Sequence, residues 1–183
     1  MARPASRLIA VALLASMAAA CAHEPLQRVT DASAPRSLPA EGPVDVRWRD
    51  PETFAEIRNS HNPTESRRGD WVAELAQYVR KRAAVRLAPG ERLDVEFIDI
   101  DRAGDFEPWR GVSLQDTRVM REIYPPRITL SFTRTDAAGA VVAQGERRLV
   151  DAMYLGGPGG SDTDMLRYEK RMLDQWLARD IPR

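Results

Sequence analysis

The stretch RLDVEFIDID, Arg92–Asp101, decides the architecture. Leu93, Val95 and Phe97 alternate onto one side, which is strand periodicity, whereas Ile98 and Ile100 fall on the other. Two arrangements give that pattern: a central strand covered on both faces, or a β-bulge near Phe97 that switches the alternation. Either way the segment sits inside a sheet, and neighbouring elements must cover its apolar side.

Upstream, VDVRW (44–48) alternates Val44, Val46 and Trp48 and reads as a short half-buried strand. Asp50 followed by Pro51 is a cap and first-turn pair, so PETFAEI is expected to form a short helix. RNSHNPTESRRG has loop composition. Asp70 is placed to cap a helix in which Trp71, Val72, Leu75, Val79 and Ala83 share one face, with Pro89 and Gly90 as the stop.

Downstream, TRVMREIY and RITLSFTRTD read as strand sequence on either side of Pro125 and Pro126, a pair that a fully paired central strand excludes. DAAG (136–139) is a hairpin turn, and AVVAQGERRLVDAMYL its antiparallel return. GGPGG (156–160) lacks both the Lys-Ser/Thr ending of a phosphate loop and the G-x-G-x-x-G spacing. Ser161 with Asp164 forms a capping box for a last helix carrying Met165, Leu166, Met172, Leu173, Trp176 and Leu177 on one face. The expected order is β, α, α, β, β, β, α. That predicts a two-layer α+β domain, a mainly antiparallel sheet of about four strands with helices mostly on one face.

The totals exclude several function classes. Basic and acidic side chains number 27 each, and loss of the first 20 residues would leave 25 against 27. No basic stripe is present to track phosphates, so nucleic-acid binding is not expected. One cysteine makes no internal disulfide, and His23 and His61 are too few for a zinc ribbon or a His₃ zinc enzyme. No cofactor or metal is expected.

The N-terminus, MARPASRLIAVALLASMAAAC, has Arg3 and Arg7, an apolar run from Leu8 to Ala15, and small residues at 18–20. That is signal-peptide layout over residues 1–20. Small residues directly before Cys21 resemble the lipobox of bacterial lipoproteins, in which the cysteine becomes the acylated first residue. The alternative is ordinary cleavage and a soluble periplasmic protein. In the lipoprotein reading, Ala22 lacks the Asp associated with inner-membrane retention, which favours the outer membrane of a Gram-negative envelope. Residues 21–43, with prolines at 25, 35, 39 and 43, read as a lipidated Cys and a flexible tether, and 44–183 as one domain.

The one concentration of chemistry-bearing residues is DIDRAGDFEPWRG, with Asp99, Asp101, Asp105 and Glu107 followed by Trp109 and Arg110. Crowded carboxylates repel unless neutralised, and a hard cation or a polar ligand would serve. The EF-hand template fails at Ala103 and Arg110. The simpler reading pairs these acids with nearby arginines. A catalytic carboxylate pair stays open, but no catalytic residue is assigned and an enzyme is the less favoured outcome. His61 reads as a solvated loop residue.

VDVRWRDPETFAEIR, ERLDVEFIDIDRAGDFEP, REIYPPRITLSF and RYEKRMLDQWL together resemble a bacterial family known as domain of unknown function 3016, over about residues 44–177. The resemblance implies an envelope location and carries no catalytic role. The expectation is thus a lipid-anchored envelope protein that binds or assembles with an envelope protein or cell-wall component. The alternative is a soluble periplasmic, cation-dependent or carboxylate-driven hydrolase using Asp99–Glu107. Cys21→Ser is expected to shift the protein from the membrane pellet to the soluble fraction, because the acyl chains hold it there. A variant that sediments as the parent does overturns the anchor.

Overall fold

The structure, a computed structural model, describes residues 27–157 and 163–182. The leader, Cys21 and Ser161 lie outside the described residues. Strand β1 (Val44–Trp48) leads through a 3₁₀ turn (Pro51–Thr53) into two one-turn helices, α1 (Ala55–Arg58) and α2 (Pro63–Ser66). The long helix α3 (Trp71–Ala84) returns the chain to β2 (Arg92–Asp101). Then come β3 (Asp105–Phe106), 3₁₀ turns at Pro108–Arg110 and Val112–Leu114, β4 (Arg118–Val119), β5 (Arg127–Thr135), β6 (Val141–Val150) and α4 (Arg167–Asp180).

The main sheet runs β1-β2-β5-β6, with β1 parallel to β2 and the other pairs antiparallel; β3 and β4 pair separately. The two-layer α+β expectation holds. In β2 the bulge wins over double coverage. The register with β5 shifts between Phe97 and Asp99, so Ile98 is the extra residue and both Phe97 and Ile100 reach the core. The inner face is completed by Val46, Leu130 and Phe132, under α3 residues such as Leu75 and Val79 and α4 residues such as Leu173 and Trp176. Trp48, Trp71 and Trp176 are all core. The outer face is polar, as shown by Arg47 beside Glu96 at 3.6 Å.

Several local expectations change. PETFAEI is not one helix. Phe54 is extended between the 3₁₀ turn and α1, which lets its ring enter the core at 6.3 Å from Trp71. The polar 58–69 loop contains α2, capped by Asn62 Oδ1 accepting from Glu65 N–H at 3.3 Å. Asp70 occupies the cap position of α3 without a side-chain capping bond, and accepts instead from Gln27 Nε2 at 3.1 Å. Helix α3 ends at Ala84, before Pro89. Of TRVMREIY only Arg118 and Val119 are strand, because Arg118 is drawn into a buried ion pair and a turn at Arg121–Tyr124 ends the ladder. Helix α4 starts at Arg167, with Asp164 Oδ1 accepting from Leu166 N–H at 2.9 Å, so Met165 precedes it and is exposed.

The expected tether is also altered. From Gln27 onward the chain lies on the domain as a strap. Val29 is buried and donates its N–H to Arg67 O at 3.0 Å, and Leu38 N–H donates to Val46 O at 3.0 Å. Trp48 N–H donates to Arg36 O at 2.8 Å, so the strap covers the otherwise open edge of β1. Apolar burial and edge hydrogen bonds outweigh the proline-rich composition. Among the described residues no helix is long and apolar enough to cross a membrane.

Candidate functional site

The parallel pair β1–β2 places the C-terminal ends of both strands at one end of the sheet, with α1 and the start of β5 beside them. A polar cleft of about 200 Å³ opens there, walled by Glu56, Ser60, Asp101, Asp105, Tyr124 and Arg127 among others.

Its floor is an ion cluster. Glu56, projected from α1, is 3% exposed. Its carboxylate accepts from Arg102 N–H at 3.0 Å and Arg102 Nη2 at 2.9 Å, and from the Arg118 guanidinium. Arg118 also donates to Gly104 O at 2.7 Å. Each guanidinium lies over an aromatic ring, Arg102 on Trp71 at 4.6 Å and Arg118 on Phe106 at 4.8 Å. Burial alone would raise the Glu56 pKa, but the two guanidiniums overcome it and hold the carboxyl below its usual range. Gly104 at φ +75° makes this possible: a Cβ there would meet Met120 Sδ at 2.7 Å and Val119 O at 2.8 Å.

A second buried acid lies behind it. Glu169 of α4 has no exposed surface; one oxygen accepts from Ala103 N–H at 2.7 Å, and Oε2 has no partner. Burial, helped by the Glu56 charge, pushes its pKa up. Glu169 is therefore held as the neutral acid more readily than an ordinary carboxyl.

The acidic segment spreads into four distinct settings. Asp99 accepts from Ala55 N–H at 2.7 Å and caps α1. Asp101 faces the cleft and pairs with Arg127 at 3.0 Å. Burial, then the Glu56 and Asp99 charges, raise its pKa against the pull of Arg127. Asp105, also in the cleft, binds His61 Nδ1 at 2.6 Å and accepts from Phe106 N–H at 2.7 Å. Glu107 is covered by half-exposed guanidiniums, Arg121 at 2.7 Å and Arg110 at 3.1 Å, with Tyr124 Oη at 3.1 Å. Arg121 foremost holds its carboxyl below the usual range. Trp109 is 61% exposed and meets the His61 ring edge-on at 4.9 Å. Among the described residues no three His, Cys, Asp or Glu side chains are placed to share a metal ion. Of the four acids of this segment, Asp101 and Asp105 line the cleft, and Asp99 and Glu107 do not.

Glu56, Arg118 and Glu169 were invisible as a group in the sequence, since their partners lie 46 to 66 positions away. His61, read as solvated, is clasped by Asp105. Two-layer α+β domains with a polar cleft at their strand ends form a broad class. This chain belongs to one family within it: the model described as "Protein of unknown function (DUF3016)" matches residues 42–179. No curated protein and no solved structure matches the chain.

Two stability measurements check the cluster. Glu56→Ala strands two buried guanidiniums and is expected to cost about 3–5 kcal/mol in denaturant unfolding. Because the folded pKa of Glu56 is depressed, its contribution is present above the ordinary carboxylate value and is lost as pH falls through the folded one. Glu169 has the opposite sign: its contribution is present below the ordinary value and is lost as pH rises through the elevated folded one. Glu169→Gln should therefore be more stable than the parent at pH 7, by about 1 kcal/mol, with the difference closing toward pH 4.

Proposed function

We propose that this protein is an exported, lipid-anchored component of a Gram-negative envelope whose domain is a binding module, with the cleft beside Asp101 as its polar-ligand site. The anchor rests on Cys21 and the leader before it. The observation that carries the binding role is that the cleft is preformed. Its floor is fixed by buried ion pairs and stacked guanidiniums, so a ligand need not order it on binding. Asp101 supports the same reading. It is largely buried beside two other carboxylates, with one half-exposed Arg127 as its ion-pair partner, and a polar ligand would relieve that repulsion. Candidate ligands are an envelope protein or a cell-wall component.

Affinity capture from solubilised envelopes tests it, with the intact protein against the double variant Asp101→Asn/Asp105→Asn and against residues 1–43 alone. Both substitutions keep side-chain shape and leave Glu56 and its guanidiniums in place. At least one envelope component should be enriched by the parent and fall roughly tenfold with the variant, the equivalent of about 1.4 kcal/mol. Equal recovery in all three overturns the binding role.

A further inference from the structure

We propose that the end of the domain carrying the cleft rests on the bilayer surface, with the apolar rim formed by Trp109, Val112, Leu114 and Ile123 dipping into the lipid interface. The geometry of this inference rests on the anchored reading above; the chemistry of the rim does not.

Three observations converge. First, these four side chains are 61%, 82%, 38% and 63% exposed. Arg110 and Arg121 stand among them, each half-exposed and sharing a single carboxylate, Glu107, while Asp116 and Glu122 are exposed acids of the same stretch, so the rim offers guanidiniums to headgroup phosphates without a net positive charge. An exposed Trp with aliphatic neighbours and arginines suits the headgroup boundary, where an amphipathic ring and a cation both find partners.

Second, the rim is joined to the place where the chain enters the domain. Trp109 packs on His61, and Asn62 Nδ2 donates to Gln115 O at 3.1 Å and to Asp116 Oδ1 at 2.9 Å. A few residues on from these contacts, Arg67 O accepts from Val29, and Gly69 N–H donates to Gln27 O at 2.8 Å. The opposite end is the 136–139 hairpin, against which Gly90 packs, about 20 Å away along α3.

Third, the strap shortens the reach. Only six residue steps separate Cys21 from Gln27, and six steps span at most about 20 Å. A free tether from 21 to 43 would let any face meet the membrane. A chain fixed at Gln27 presents this end and holds the hairpin away. The cleft, rimmed by Ile123, then faces the lipid surface, which suits ligands exposed at that surface.

The test uses the full-length protein purified with its anchor and reconstituted into phosphatidylethanolamine/phosphatidylglycerol vesicles with brominated acyl chains. Trp48, Trp71 and Trp176 are buried, so Trp109 supplies the quenchable emission. Quenching is expected in the parent and absent in Trp109→Phe. In a second arm the unanchored Cys21→Ser protein is floated with the same lipids. Its binding should fall about tenfold in Val112→Asp, a substitution at an exposed position that leaves the core alone. A protein that floats through its lipid while Trp109 stays unquenched overturns the surface and leaves the anchor standing. A mature N-terminus without lipid, together with vesicle binding that still depends on Trp109 and Val112, upholds the surface and removes the anchor. Protection of Trp109 only when another envelope protein is added overturns the lipid assignment.

Discussion

A carboxylate that scarcely touches water, Glu56, is the constraint around which one end of this domain is organised. Burying a charge costs several kcal/mol unless it is paired and hydrogen-bonded. Here the partners come from the end of β2 and from β4, so the cost is offset only if three separate pieces of chain meet. Removing Glu56 strands both guanidiniums, and removing either arginine leaves the buried carboxylate with one cationic partner instead of two. The cluster therefore acts less as a source of stability than as a condition on geometry, and that condition shapes the cleft. The composition suits it: 25 of the 27 basic side chains are arginine. A guanidinium can grip a carboxylate with two donors while its flat face lies on a ring, as Arg118 does between Glu56 and Phe106.

Charge balance behind the floor is completed by Glu169. Two acids and two guanidiniums would be neutral if all ionised, yet Glu169 sits deeper and lacks a partner for one oxygen. Its elevated pKa and the depressed pKa of Glu56 are two results of one arrangement, since both guanidiniums bond to Glu56 and neither bonds to Glu169. Helix α4 is thereby linked to the β2–β3 turn through Ala103 N–H, and its other end is held by Arg147 on Asp180. The same helix closes the core with Trp176 and Leu173.

Away from the cleft the fold follows simpler rules. Apolar stripes on α3 and α4 cover one sheet face, the other stays polar, and the strap takes the free edge of β1. The family match begins at residue 42, so the strap from Gln27 to Glu41 lies before it. That short piece lies along the edge of β1 and joins the start of α3, where Gly69 N–H donates to Gln27 O.

Alternation in Val44–Trp48, Arg92–Asp101 and Arg127–Thr135, and the helical stripe from Trp71 to Ala83, were legible because each is a local periodicity imposed by burying one face. The sequence by itself therefore determined the two-layer architecture, the bulge as one of two options, and a crowded acidic segment after β2. It did not determine what those acids do. Asp99 became a helix cap, Asp101 a cleft wall, Asp105 a clasp for His61 and Glu107 the centre of an arginine pair, each through a partner supplied by another stretch of chain. Ion pairs carry no periodicity: any arginine suits any carboxylate until folding brings particular ones together and excludes water. Only the tertiary structure could choose among them, and it also laid the proline-rich strap on the domain, where buried Val29 and two edge hydrogen bonds outweigh a composition that reads as loose.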